Sequence, residues 1–358
     1  MVQSKGINFE GQNIFIGIDV HLKTWSVAIL TQSGYGKKHS QESSAKELFE
    51  HLKKHYPKGT YKAVYESGFS GFSTYYALKE YGIDCMVIHA ADVPTTQYEN
   101  VMKSDSIDSG KLAKALKAGT LKGIYIPKKE YLDDRNLVRF RKTLMQQLGG
   151  YKSRVKHLLY NNGVQYPDCF AQPGSHWSKR FMRWLHEDVV LLSPTRISLD
   201  LLLDQVELLR KSLLKATRLL RNLSGSPIYA ERYSLLLSIP GIGPLTAMCL
   251  LTEVEDVSRF KNQREFASYL GLIPTCHNSG EKVSNGEKTF RGNKKLGPML
   301  VESSWIIIRY DKVMAAAYGE YCRRMKPQEA IIRIARSLSN RILAVLKSRI
   351  EYKYEKSD

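Results

Sequence analysis

No run of eighteen or more apolar residues occurs anywhere in the 358 residues, which argues against a transmembrane helix. The opening residues MVQSKGINFEG lack the apolar core of a secretory signal, so a cytoplasmic protein is expected. Cysteine is scarce: Cys85, Cys169, Cys249, Cys276 and Cys322 are scattered, odd in number and never arranged as CxxC. That excludes the usual disulfide frameworks and zinc ribbons, and leaves Cys276-His277, which has no further ligands nearby, to packing and turn chemistry. There is no internal repeat and no low-complexity tract. Acidic residues are few, 35 against 54 Lys and Arg, for a net charge of +19. Residues 135–165 hold no acid at all but seven bases: Arg135, Arg139, Arg141, Lys142, Lys152, Arg154 and Lys156. Residues 259–358 carry 20 bases against 10 acids. A balance this one-sided is unusual for an enzyme of small metabolites and points to a polyanion, nucleic acid above all.

What is present is a core and an order of elements. Hydrophobic residues make up 43% of the chain. NIFIGIDV (13–20) is a β-branched apolar run, TWSVAIL (24–30), YKAVYE (61–66) and the segment 84–88 read as further strands, and SGYGK after the second reads as a turn. Helical spacing at 43–55 and 72–81, and a helix of about fifteen residues beginning at Ser104, alternate with them. The pattern predicts an α/β sheet with packed helices over 1–127. Residues 128–227 read as helical, and the leucines of 196–222 at three- and four-residue spacing suit either a coiled coil or a plain helical packing face. From 228 to 358 a mainly helical domain is expected. It begins with two helices around Pro-Gly-Ile-Gly-Pro and a short helix at 262–270. A loop-rich stretch at 271–295 with a hairpin signal at Asn285-Gly286 follows, and helices over 295–318 and 328–350 end the chain.

Four carboxylates stand out. Asp19 and Glu66 each end a strand, and Asp105 and Asp108, three apart at the start of a helix, share one helical face. Brought together, they would repel one another unless a cation lay among them, and oxygen ligands suit Mg²⁺. Such a site activates an oxygen nucleophile at a phosphodiester. Taken singly, each has a structural role available: Asp105 and Asp108 oppose a helix dipole behind Ser104, Asp19 ends a strand, and Glu66 could pair with a lysine.

IGIDVHLKTWSVAIL, YESG and KSDSIDSGKLAKAL together resemble the RuvC-like, RNase H-fold DEDD domain of the insertion-sequence family called "one-ten", a family of transposases also known as bridge-RNA-guided recombinases. The resemblance implies that Asp19, Glu66, Asp105 and Asp108 are the metal ligands. ESGFSG departs from the family's EATG block beside the glutamate. LLSIPGIGPLTAMCLL resembles the family's C-terminal domain, and also a helix–hairpin–helix, in which Gly241 and Gly243 would bring backbone N–H groups to a phosphate. The alternative is a tight interhelical turn. GLIPTCHNSG fits the family segment that holds the catalytic serine, here Ser279; in most proteins a serine before glycine in a polar turn is structural.

The resemblance covers roughly residues 13–350 and implies a DNA transposase that cleaves and rejoins DNA through a phosphoserine intermediate. Its partners would be donor and target DNA and a structured noncoding guide RNA, with dimers pairing into tetramers and no membrane. Ser279 lies 171 residues from Asp108, and the family implies that the two sites meet from different subunits. The basic helices 135–160 and 328–350 are candidate nucleic-acid contacts, as are Arg139, Arg141, Lys142, Arg154, Lys282, Arg291, Lys294 and Lys295. Two rival expectations are a RuvC-like structure-selective endonuclease using the DEDD site and water, and a non-catalytic nucleic-acid-binding protein.

Overall fold

The computed structural model describes residues 8–93, 105–279, 282–288 and 292–356; of Asp105, Ser106 and the strands within 274–288 it describes the backbone alone. The chain divides into two compact units, Met1–Ile126 and Pro127–Asp358.

The first unit is built on a five-stranded sheet in the order β3-β2-β1-β4-β5. β1 (Asn13–Val20), β2 (Thr24–Leu30) and β3 (Gly36–Glu42) form an antiparallel meander, while β4 (Thr60–Glu66) and β5 (Asp84–Ile88) add in parallel. This mixed sheet is consistent with the expected RNase H-like domain. Period-two alternation sorts the side chains. Ile14, Ile16 and Ile18 of β1 with Ala63 and Tyr65 of β4 pack under α1 (Ala45–His55), whose Ala45, Leu48 and Leu52 belong to the same cluster. Ser44 caps α1, its hydroxyl accepting from the Glu47 amide. The opposite face carries Gly17, Asp19, Val64 and Glu66, and there lies α3 (Asp105–Lys117); α2 (Ser73–Glu80) packs beside β5.

Gly17 decides how close α3 comes. A β-carbon at that position would stand 2.1 Å from the Ser109 carbonyl oxygen and 2.5 Å from the Ala113 amide nitrogen. The helix backbone therefore rests directly on β1, and Ser109, fully buried, reaches the Ser26 hydroxyl on β2 at 3.3 Å. β3 is absent from the sequence reading, which took its start for a turn. GKKHSQE is polar and mostly exposed because it forms the sheet edge, so it shows no hydrophobic alternation.

Between β3 and α1, the His39 and His51 rings stack with centroids 4.1 Å apart, and His55 leans on His51 at 4.5 Å. Burial, then the charges of His39, His55, Lys37 and Lys54, pushes His51 down to about 4. The folded value lies below the ordinary one, so this contribution to stability is complete above pH 6.5 and is lost as pH falls toward 4, because the unfolded chain takes up the proton more readily. Discounted for the ring's partial exposure, about 1–2 kcal/mol is at stake. The thermal midpoint measured between pH 7 and pH 4 should decline less steeply in His51→Phe, which keeps the stack without the proton.

The second unit holds two hydrophobic clusters. In one, Leu144, Leu148, Val155 and Leu159 of α4 (Lys129–Asn161) interlock with Leu199, Leu203, Val206, Leu209 and Ala216 of α6 (Ser193–Ser224), closed at one end by Phe181 and Trp184 of α5 (Lys179–Glu187). The leucine spacing of 196–222 thus serves a helix pair within the chain, while Ile197, Leu201 and Leu208 face outward. The other cluster joins α7 (Ala230–Leu237), α8 (Pro244–Val254), α9 (Gln263–Tyr269), α10 (Leu296–Ile307), α11 (Lys312–Cys322) and α12 (Pro327–Ser348). The single helix expected over 295–318 is two. Asp311, buried, caps α11 by accepting from the Met314 amide and takes the Tyr352 hydroxyl on its other oxygen. Residues 274–288, expected to be loop-rich, hold the antiparallel strands β6 (Pro274–Ser279) and β7 (Lys282–Lys288), with Ser279 opposite Lys282. Asn285-Gly286 sits inside β7, where the register shifts, and not at the connection. Among the described residues no helix is long and apolar enough to cross a membrane.

Candidate active site and nucleic-acid interface

Three of the four predicted carboxylates come to one end of the first unit's sheet. The parallel register sets Ile18 beside Tyr65, so Asp19 and Glu66, one residue further on, lie side by side on the α3 face. Ser26 is the cross-strand partner of Asp19, and the buried Ser109 ties to it, which holds the neighbouring Asp108 over the same edge. Their mutual influence is visible in Glu66: burial, with the like charges of Asp108 and Asp19, raises its carboxyl above the usual range, opposed by Lys111 and His89. Asp19 also meets His21, whose Nε2 is 3.2 Å from Oδ2. The side chain of Asp105 lies outside the described residues; its backbone opens α3, one helical turn before Asp108. Among the described residues no three carboxylate, imidazole or thiol groups enclose a metal position. The donor chemistry nevertheless suits a hard divalent cation: the carboxylates of Asp19, Glu66 and Asp108 offer oxygen ligands, and Glu66 resists ionisation, chiefly through burial and further through the like charges of Asp108 and Asp19.

The predicted serine lies in the other unit, at the end of β6. Of Ser279 and Lys282 the backbone is described, and Arg291 lies outside the described residues. Close to the described ends of the strand pair lies Glu253, a position the sequence reading did not single out. Its side chain is 1% exposed and receives Arg139 through two hydrogen bonds, Nε to Oε1 at 2.7 Å and Nη2 to Oε2 at 2.9 Å. Asn293 Nδ2 donates to Oε2 at 3.1 Å. Burial alone would raise the Glu253 carboxyl; the hydrogen bonds and charge of Arg139, with the charge of Arg135, outweigh it and hold the group below the usual range. Arg135 is itself buried, its Nε donating to the Thr252 carbonyl.

The candidate nucleic-acid residues therefore differ in what else they do. Arg139 is half of an internal ion pair, and Arg141 donates to the Thr217 hydroxyl, joining α4 to α6. Lys295 lies beside this group: burial and the Arg139 charge lower its pKa, with Lys142 adding to the effect. Lys295, far away in sequence, thus joins Arg139 and Lys142 in one cationic rim beside Glu253. Lys294 is exposed, and Arg154 is exposed and covers the Tyr151 ring. Gly241 has φ +87, and a β-carbon there would meet the Ser303 carbonyl oxygen at 2.4 Å, so this glycine is needed to seat the turn on α10. Gly243 caps α8 with open space around it, which leaves its end of the helix approachable. A further basic surface escaped the sequence reading. Residues 208–230 contain no acid, and Arg210, Lys211, Lys215, Arg218 and Arg221 are all exposed on α6. Lys211, Lys215 and Arg218 line a groove of about 480 Å³ with Leu214 and Leu219. The absence of acid over 23 residues was the available signal; the leucines between the bases drew the eye to packing instead.

Comparison with known proteins accounts for both units. A DEDD transposase model matches residues 16–161, and the model described as transposase IS116/IS110/IS902 family matches residues 233–319. The chain is 26% identical over 241 residues to y4qE of Sinorhizobium fredii, spanning 67% of this chain and 57% of that protein. With y4rJ of the same organism it is 26% identical over 359 residues, spanning 90% of this chain and 89% of the relative. The transposase for insertion sequence element IS1533 of Leptospira borgpetersenii is 25% identical over 263 residues, 71% of this chain and 73% of its own. The first match contains the strand and helix carboxylates, and the second contains the Pro-Gly-Ile-Gly turn, Ser279, Glu253 and Asn293. On these grounds the chain belongs to the IS110 family of insertion-sequence transposases.

Proposed function

We propose that this protein cleaves and rejoins DNA at the ends of an insertion sequence, with Ser279 as nucleophile and Asp19, Glu66, Asp105 and Asp108 as ligands of Mg²⁺. The observation that carries the reading is the convergence of Asp19, Glu66 and Asp108 at one end of the sheet, in a chain of charge +19 whose other unit holds the family's serine segment. When bound, the cation supplies Lewis-acid polarisation of the phosphodiester and stabilises charge on the leaving oxygen. The chain's own groups do the rest. The Ser279 hydroxyl oxygen bonds to phosphorus as the bond from phosphorus to the 3′ oxygen breaks. The serine proton passes to solvent or a nearby base, and the departing 3′ oxygen is released as a hydroxyl. A phosphoserine keeps the bond energy for rejoining by the reverse attack of a new 3′-hydroxyl. Lys142 and Lys295 balance the charge that builds on the phosphate, Arg139 being already paired with Glu253.

The carboxylates and the serine belong to different compact units, and the reading has them meet from partner protomers, the outward Ile197, Leu201 and Leu208 of α6 being the proposed dimer contact. A structured noncoding RNA selects donor and target DNA by base pairing. The protein holds these nucleic acids through their backbones, and the basic ridge of α6 joins the helices 135–160 and 328–350 as a surface for them.

The test is incubation of the protein with the element's RNA, labelled donor and target DNA and Mg²⁺, followed by a denaturing gel. A protein-linked DNA band is expected, and EDTA should abolish it. Cleaved strands free of protein would favour a RuvC-like nuclease that uses water, and salt-dependent binding without any cleavage would favour a non-catalytic binder.

A further inference from the structure

We propose that Asn293 is a positioning residue for the reaction: with Glu253 and Tyr269 it clamps the base of the strand pair that ends in Ser279, and so sets where the serine is presented. The inference rests on Ser279 being the nucleophile.

The chain enters β6 just after Gly271 and returns from β7 at Gly292. At that neck the two backbones cross with no room between them. A β-carbon on Gly292 would lie 2.2 Å from the Gly271 α-carbon and 2.4 Å from its nitrogen. Immediately beyond the crossing, every polar atom of the Asn293 side chain is engaged. Nδ2 donates to Glu253 Oε2 at 3.1 Å and to the Tyr269 hydroxyl at 3.3 Å, while Oδ1 accepts from the Lys295 and Leu296 amides at 2.9 and 3.1 Å. Its own amide donates to the Tyr269 carbonyl at 2.6 Å. The Tyr269 hydroxyl donates in turn to the Glu253 carbonyl at 2.8 Å. One residue thereby ties the returning strand to the end of α8, to the end of α9 and to the start of α10.

Holding a chain crossing in place by packing alone needs no such set of directional bonds. A fully satisfied buried polar network specifies one geometry. The lever arm shows why geometry matters here. The six extended residues Pro274–Ser279 lead away from the neck and end in the serine. At about 3.3 Å per residue they span roughly 17–20 Å, so a tilt of about 5° at the base moves the far end by about 1.5 Å. Misplacing a reacting atom by about 1 Å can cost on the order of a hundredfold in rate. Glu253, held from its other side by Arg139 and Arg135, is the fixed post of the clamp.

Asn293→Asp separates the two jobs of this side chain: it keeps an acceptor for the Lys295 and Leu296 amides and removes the donor to Glu253. At saturating DNA and RNA, adduct formation should slow at least tenfold while nucleic-acid affinity by gel shift stays within about twofold. Hydrogen exchange should quicken across 274–288 and stay unchanged in α7 and α8. The double variant Asn293→Asp with Glu253→Gln reverses donor and acceptor, and should recover part of the lost rate. Should Asn293→Asp fail to fold, Tyr269→Phe removes only the hydroxyl and should still slow the adduct severalfold. Wild-type rates in a folded Asn293→Asp or Tyr269→Phe variant, with Ser279→Ala abolishing the adduct, would overturn the clamp alone. An adduct that persists in Ser279→Ala removes the nucleophile assignment instead.

Discussion

Ser279→Ala should eliminate the protein-linked DNA species, not merely slow its appearance. Alanine offers no oxygen to bond to phosphorus, so the effect on adduct formation should be at least about four orders of magnitude, the scale seen when a covalent nucleophile is deleted. DNA and RNA affinity should be unaffected, because one small uncharged side chain replaces another and the cationic rim stays in place. The nearest competitor on the same strand pair is Ser284, which stands opposite His277 in the register. Ser284→Ala should therefore retain near wild-type adduct. If the two results were exchanged, the nucleophile would be on β7 and the reading of the GLIPTCHNSG segment would be wrong. Quantifying the covalent band for both variants, with free cleaved strands counted in the same lanes, separates these outcomes from hydrolysis by water.

The second large effect is structural and lies at the carboxylates. Gly17→Ala should destabilise the first unit and disperse its acidic site together. The added carbon would stand against two main-chain atoms of α3, the Ser109 oxygen at 2.1 Å and the Ala113 nitrogen at 2.5 Å. No side-chain rotation relieves that overlap, so the helix has to back away from β1 by roughly an ångström, at a cost of about 3 kcal/mol, the upper part of the range for overpacking. Such a loss corresponds to a fall in thermal midpoint on the order of 10 °C for a unit of this size. The same displacement breaks the Ser109–Ser26 contact and carries Asp108 away from Asp19 and Glu66, so metal-dependent cleavage should fall with it. Gly149→Ala is the control: that glycine lies inside α4 with nothing within 4 Å of the added carbon. Alanine there should be neutral or stabilising by up to about 1 kcal/mol. Thermal melts of the two variants side by side decide the point; equal melting temperatures would mean that α3 does not depend on the glycine.

Much of the first unit was legible because its strands carry their own signal. β1, β2, β4 and β5 are short segments with apolar centres, of the length and residue type that suit a buried sheet. β3 was not, since a polar edge strand exposed along most of its length has no apolar period to read. The Asn285-Gly286 signal misled for a related reason: a local turn preference yielded to the pairing register of β6 and β7. The break between α10 and α11 was hidden because Asp311 becomes a cap only through its buried surroundings, including Tyr352, far along the chain.

By itself the sequence determined the apolar strands and most of the helices, the excess of positive charge, and the order of strand aspartate, strand glutamate, helix aspartates and late serine. These are properties of neighbours in the chain, where hydrophobic period, net charge and motif spacing are fully expressed. Tertiary structure alone decided which carboxylates share one end of the sheet, that Arg139 answers Glu253 while the bases of α6 stay exposed, and that Asn293 bonds to Glu253 and Tyr269. Each of these depends on contacts between residues far apart in sequence, and such contacts are set by how closely two backbones can approach. At Gly17 and at the Gly271–Gly292 crossing, that distance is governed by the absence of a single carbon atom.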